Sequence, residues 1–236
     1  MNGCFSMDAR LNKKSLFIGI DVSGSFYNNA SFESAIKFTA YYIYAHLNGL
    51  GDLREPRALF VGSIGGDSVD EPKSFHPIHD FQEKSVEQIE EDLRTWFPES
   101  NKLTDFNIFF QKIANLVKKQ NLTLSPIEIV MISDGIPDIA EEGVKEIEDR
   151  IKRIDIASMQ YLARSITVRL LYPNPTIAGH WDKLINWKRV RIWTQDTEVM
   201  NGWQNQLEKD VPVEKQLKLF QWIKDNVDFP VRVRRF

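Results

Sequence analysis

Asp21-Val22-Ser23-Gly24-Ser25 sets one carboxylate and two hydroxyls within five residues, directly after the apolar run Leu16-Phe17-Ile18-Gly19-Ile20. Two distant segments carry the same kind of chemistry: Thr104-Asp105, and Ser133-Asp134-Gly135 behind the apolar run at 127–132. All of these donors are hard oxygens. None of the three segments contains His or Cys, which argues against zinc and other metals that prefer soft ligands. A few oxygen ligands, most of them uncharged, suit an octahedral Mg²⁺ that keeps some of its water better than a Ca²⁺ wanting roughly six to eight oxygens. Mn²⁺ and Ca²⁺ share the donor preference and stay open. Such a site would be an incomplete coordination sphere, and it exists only if the fold brings the three segments together.

The surrounding pattern predicts such a fold. Residues 16–20, ending at Asp21, form a continuous apolar run expected for a strand buried on both faces; the apolar run 58–64 reads as the next strand and 127–132 as another buried strand. Helical spacing covers 31–47, closed by Gly49 and Gly51, then 85–96 and the amphipathic stretch 105–119, with Thr104 at its start. A long helix is expected over 141–163, strands at 166–171 and 190–193, a short helix around 181–185, and a last helix over 214–226. Residues 73–78 read as a short edge strand. Strands alternating with helices call for a doubly wound, mostly parallel six-stranded α/β sheet with helices on both faces. Ligand sites in such sheets form beyond the carboxyl ends of the strands, where the strand order reverses. Residues 14–227 form one domain in this reading, between a loose tail at 1–13 and a basic extension at 228–236.

Composition narrows the function classes. The chain has 236 residues, 42% hydrophobic and 27% charged, enough for a well-buried core without disulfides. No apolar run approaches the roughly 18 residues of a membrane span, so no membrane insertion is expected. Thirty Lys and Arg against 33 Asp and Glu give a net charge of −3. No global basic field is available for a nucleic acid backbone, and no nucleic acid partner is expected. The single cysteine, Cys4, cannot pair within the chain, and the polar N-terminus lacks the apolar stretch of a secretion signal. The expected location is the cytoplasm.

In this order and on these elements, the three segments resemble the von Willebrand factor type A domain with its metal-ion-dependent adhesion site. The family pattern is Asp-x-Ser-x-Ser after the first strand, a Thr before the third helix and an Asp, usually Asp-Gly, after the fourth strand. Asp21, Ser23 and Ser25, then Thr104, then Asp134 with Gly135 match it, and the resemblance spans residues 14–227. It implies a binding module and not an enzyme. The two serines, and sometimes the threonine, would hold the metal directly, with one or both aspartates acting through water. One position would stay open for an Asp or Glu of a partner protein. Weak donors leave the ion electron-poor, which strengthens its pull on that carboxylate. Integrin inserted domains couple this exchange to a shift of the last helix, here 214–226, whereas many intracellular members show no switch. Similar standalone domains work beside ATPases of the AAA+ type or as scaffolds, an expectation that rests on analogy of fold.

Plainer readings compete at each residue. Asp and Ser after strands often cap helices, and Asp105 reads as a helix N-terminal charge favoured by the dipole. A Mg²⁺-dependent phosphohydrolase resembling haloacid dehalogenases would use Asp21 as nucleophile. That family wants a second Asp two residues on, where Ser23 stands, so its general acid is missing. A serine-hydrolase elbow fails on spacing. Gly62, Gly65 and Gly66 lack the Gly-Lys-Ser/Thr of a phosphate loop. His76 and His79 read as part of a solvated loop. The tryptophans of the last third are expected mainly in the core, with one or two at a partner surface. The alternating Val231-Arg232-Val233-Arg234-Arg235 fits a charge-protected edge strand or, more sharply, a docking strip for an acidic partner.

Overall fold

The run from Leu16 to Ile20 becomes the centre of the sheet. Strand β1 (Ser15–Asp21) is buried along its whole length. It pairs in parallel with β2 (Ala58–Ile64) on one side and β4 (Ile127–Ile132) on the other. A computed structural model describes residues 13–64, 75–99, 103–138 and 144–231. Within it the six strands run in the order β3-β2-β1-β4-β5-β6. Here β3 is Phe75–Pro77, the one antiparallel member, β5 is Ile166–Leu171 and β6 is Val190–Gln195. The order reverses at β1, so the crevice between β1 and β4 is the place where such sheets bind ligands.

Alternation along β1 builds two cores. Leu16, Ile18 and Ile20 face the layer of α2 (Phe32–Leu47), α3 (Val86–Trp96) and α8 (Leu217–Asn226), packed with Phe38, Trp203 and Phe220. Phe17 faces the opposite layer, with α4 (Phe106–Lys119) and α6 (Pro175–Leu184). Gly19 points toward that second layer. A Cβ there would lie 2.3 Å from Phe109 Cζ and 2.8 Å from Ile64 Cγ1. The missing side chain therefore lets α4 sit close on β1, which carries the residues ahead of α4 toward the end of the strand. Two short helices flank the strand ends: α1 (Gly24–Tyr27), directly after β1, and α7 (Thr197–Asn201), after β6.

The long helix expected over 141–163 is not formed. Among the described residues of that stretch only α5 (Ile147–Ile151) is helical, and residues 139–143 lie outside the described residues. Past α5, Asn107 of α4 competes for the backbone: its Nδ2 donates to the Arg153 carbonyl at 3.1 Å and its Oδ1 accepts from the Asp155 N–H at 2.7 Å. Asp155 in turn accepts from the Ala157 N–H at 2.7 Å. Side-chain partners thus replace the helical ladder, and Ile154 and Ile156 both turn inward. Other boundaries shift modestly. The short helix around 181–185 extends back to Pro175 because Asn174 caps it and proline suits the first turn. The last helix starts at Leu217, after a 3-10 turn at Val213–Lys215. The edge strand expected at 73–78 spans Phe75–Pro77, with 73 and 74 outside the described residues. The basic run at 232–235 and most of the N-terminal tail, residues 1–12, also lie outside them.

Candidate functional site at the carboxyl ends of β1 and β4

Asp21 is the last residue of β1 and is fully buried. Its Oδ1 accepts the Ser23 N–H at 3.0 Å and faces Thr104 Oγ1 at 3.4 Å. Its Oδ2 accepts the Ser133 hydroxyl at 2.6 Å. Ser23 Oγ lies 3.2 Å from Ser25 Oγ, and Ser25 lies close enough to the Asp134 carboxylate to lower its pKa. Thr104, Asp21, Ser23 and Ser25 therefore join through hydrogen-bond contacts, Ser23 meeting Asp21 by its backbone N–H, and the Asp134 carboxylate lies beside Ser25.

Register explains the convergence. β1 and β4 run side by side through Ile20 and Ile132, so Asp21 and Ser133 are the next residues out on adjacent strands. Thr104 arrives from α4. Its N–H donates to Asp138 Oδ2 at 3.2 Å, and its carbonyl accepts the Asp138 N–H at 3.0 Å, which ties the loop before α4 to the loop after β4. Gly135 turns the chain out of β4 with φ +77°, and its carbonyl accepts the Trp181 Nε1–H at 2.7 Å. A Cβ there would meet Leu170 Cδ2 at 2.7 Å. Both space and backbone conformation thus require glycine after Asp134.

The capping explanation divides these residues. Asp105 does cap α4, accepting the Ile108 N–H at 2.9 Å. Ser23 stands at the N-cap of α1 with extended backbone, yet its side chain makes no capping bond. Asp21 and Asp134 each accept a backbone N–H two residues on, Asp134 from Ile136 at 2.9 Å, a local turn that holds the carboxylates in place. The two serine hydroxyls remain turned toward one another.

Electrostatics at this cluster favour an added cation. Burial pushes the Asp21 carboxyl up to about 6, against the hydrogen bonds from Ser133 and Ser23, and the charge of Asp134 adds to the rise. Burial likewise raises Asp134, against its bonds from Ile136 and Ser25. Two desolvated carboxylates held by hydroxyls and backbone N–H groups are stabilised in their charged form by a divalent ion. Hard oxygen donors in this number fit Mg²⁺, and Mn²⁺ or Ca²⁺ by the same preference. Elsewhere, His76 stacks on Trp96 at 3.9 Å and contacts Asp80 at 3.2 Å. Among the described residues no cluster of three or more His, Cys, Asp and Glu side chains is placed to hold a metal. The adhesion-site pattern itself has only two carboxylates.

Ser133, Asp138 and Trp181 support this site without belonging to the motif. Ser133 adjoins Asp134 in sequence, but its bond to Asp21 arises only once β1 and β4 lie in register. Asp138 and Trp181 carry no local signal, because their roles arise from contacts across 34 and 46 residues.

No family model and no curated protein matches the chain. Among solved structures, the SpRpn10 VWA domain is similar at 14% identity, covering 91% of this chain and 96% of that one, with a TM-score of 0.46. The human COPII-coat protein Sec24c is similar at 11% identity over 86% of this chain and 33% of that one, also with a TM-score of 0.46. The pilus adhesin SpaC from Lactobacillus rhamnosus GG, in its open conformation, matches 53% of this chain and 16% of its own length, with a TM-score of 0.35.

Proposed function

We propose that this protein is a non-enzymatic binding module whose Asp21, Ser23, Ser25, Thr104 and Asp134 hold a divalent cation, Mg²⁺ first, and capture an acidic side chain of a partner protein. The observation that carries this reading is the convergence of those five residues at one end of the sheet, drawn from three segments separated by up to 113 positions in sequence. When bound, the ion supplies a coordination position for a partner's Asp or Glu. Ser23 and Ser25 offer hydroxyls not spent on capping, and Asp21 and Asp134 supply the negative charge. Ser133 holds the outer oxygen of Asp21, so the carboxylate presents its other oxygen toward Thr104. Asp21 exposes no surface and both of its oxygens are engaged, which gives a phosphoryl-accepting role no geometric support. An AAA+ ATPase or a larger assembly, in the cytoplasm, remains the proposed setting by resemblance alone.

Titration calorimetry with MgCl₂ tests the reading. Wild-type protein is expected to take up one ion, and Asp21→Ala none, with an unchanged circular dichroism spectrum. Absence of uptake of Mg²⁺, Mn²⁺ and Ca²⁺ by the wild type would overturn the metal reading.

A further inference from the structure

The end of the sheet opposite Asp21 is built from the turns that lead into the strands. Three of them, 118–126, 156–165 and 185–189, enter β4, β5 and β6. Register brings them to one level: Ile127 pairs with Ile166 and Ile166 with Val190, and the Ile127 N–H donates to the Ser165 carbonyl at 2.8 Å. Lys118, Lys119, Arg164, Lys188 and Arg189 lie on these turns, all of them exposed, and none of the three turns contains Asp or Glu. Toward β2 the face continues to Arg57, whose N–H donates to the Lys14 carbonyl, and the nearby Glu55 is engaged by Lys13 at 2.8 Å. In a chain of net charge −3 this end is therefore locally basic, while Asp21 and Asp134 gather at the other.

Two large side chains stand among these cations. Leu124 is 68% exposed in the first turn, and Tyr161 is 72% exposed in the second. The core beneath does not need them, because Leu122 and Leu162 beside them are the buried residues of those turns. The Arg189 guanidinium lies 4.6 Å from the Tyr161 ring centre and ties the second turn to the third. An aliphatic and an aromatic side chain set among Lys and Arg suit the boundary between lipid headgroups and water, where Tyr rings sit and basic side chains meet phosphate while their stems lie on apolar surface. A nucleic acid strand is instead held in a basic groove with its bases stacked on aromatic rings. Here the cations spread over the level ends of three strands, and Arg189 already covers one face of Tyr161.

We propose that this end of the sheet is a docking surface for an anionic lipid bilayer. Its five exposed cations meet headgroup phosphates, and Leu124 and Tyr161 enter the headgroup layer between them. Among the described residues no helix is long and apolar enough to cross a membrane, so the contact is one of adsorption and is screened by salt. Because β1 and β4 to β6 are parallel, a molecule seated in this way turns the Asp21 end of the sheet away from the bilayer, open to a protein partner. The docking itself does not depend on an ion at that end.

Co-sedimentation of the full chain with sucrose-loaded vesicles tests the assignment, with phosphatidylcholine alone and with phosphatidylcholine containing about one third phosphatidylglycerol. Binding is expected on the anionic vesicles only, and should weaken about tenfold or more between about 0.1 M and about 0.5 M NaCl. The combined exchange Lys119→Glu, Arg164→Glu and Lys188→Glu should lower the partition about tenfold or more. Lys37→Glu, Lys209→Glu and Lys215→Glu together change the net charge equally on exposed positions elsewhere, and should lower it less than about threefold. Leu124→Ser should cost about fivefold. All the exchanged residues are exposed, and circular dichroism checks that each variant is folded. No partition onto anionic vesicles, equal losses for the two triple variants, or an unchanged partition of Leu124→Ser would each overturn the assignment. If a labelled oligouridine binds through the same three cations and the vesicles do not, the face is a nucleic-acid surface and the bilayer reading is overturned.

Discussion

At the scale of single residues, the cluster separates groups that touch the proposed ion from groups that aim them. Ser133 is of the second kind. Its hydroxyl donates to Asp21 and accepts the Gly135 N–H at 2.9 Å. Ser133→Ala is expected to lower Mg²⁺ affinity by about 10–100-fold, the usual cost of losing an orienting partner of a ligand, with the protein still folded; calorimetry reads the first and thermal melting the second. Gly135→Ala meets both a left-handed backbone and Leu170, and should cost about 2–3 kcal/mol in urea unfolding. That Asp21, Ser23, Ser25, Thr104 and Asp134 lie together at the strand ends was expected from residue type and spacing. Ser133 as a brace was not, because an unremarkable serine becomes one only when two strands lie in register.

At the scale of elements, α4 is the part that delivers Thr104, and two residues fix where it starts and how closely it lies. Asp105 caps it and Gly19 makes room for Phe109 beneath it. Asp105→Ala should therefore reduce stability by about 1 kcal/mol without changing Mg²⁺ affinity, since Asp105 is a cap and not a proposed ligand. Paired denaturation and calorimetry check this, and a large loss of affinity would instead make Asp105 part of the ion site. The central strands β1 and β4 were readable because strands buried along their whole length are apolar runs. The helix expected over 141–163 failed for a reason invisible to periodicity: Asn107, some 46 residues away, supplies hydrogen bonds that end it. Trp181, Trp187 and Trp203 are buried as expected of core tryptophans, while Trp193 on the edge strand β6 stays 37% exposed.

At the scale of the whole molecule, a buried charge network on the α2 and α8 side of the sheet joins distant parts of the chain. Lys14 pairs with Glu128 at 2.9 Å and with Asp228 at 2.5 Å, and Arg169 pairs with Glu128 at 2.5 Å and reaches the Phe229 carbonyl. The packed unit thus continues through Phe229. Removing one partner strands the others, so Glu128→Gln should cost about 3–5 kcal/mol, measured by urea unfolding. His46 of α2 lies against this network, its Nε2 3.8 Å from Asp228. Burial pushes His46 down to about 3, and the charge of Lys14 adds to the shift. As pH falls below the ordinary 6.5, the unfolded chain takes up this proton and the folded one does not, so stability drops by about 1.4 kcal/mol per pH unit until about pH 3. Asp228, raised to about 6 by burial and by Glu128, acts with the opposite sign, gaining stability as pH falls from 6 toward 3.8. The difference between wild type and His46→Asn isolates the histidine: between pH 7.5 and 5 the wild type should lose about 2 kcal/mol more than the variant. Equal losses would show that His46 titrates normally.

Residue type and local period were enough to read the alternating strands, most of the helices and the placement of the oxygen-bearing residues at the strand ends. Each of those follows from short-range chemistry: apolar runs, helical spacing and residue type. The brace from Ser133, the truncation of the helix after α5 and the buried charges around Lys14 come from partners dozens to hundreds of positions apart. Hydrogen bonds and ion pairs between such partners depend on which segments packing places side by side, and no local pattern encodes that choice.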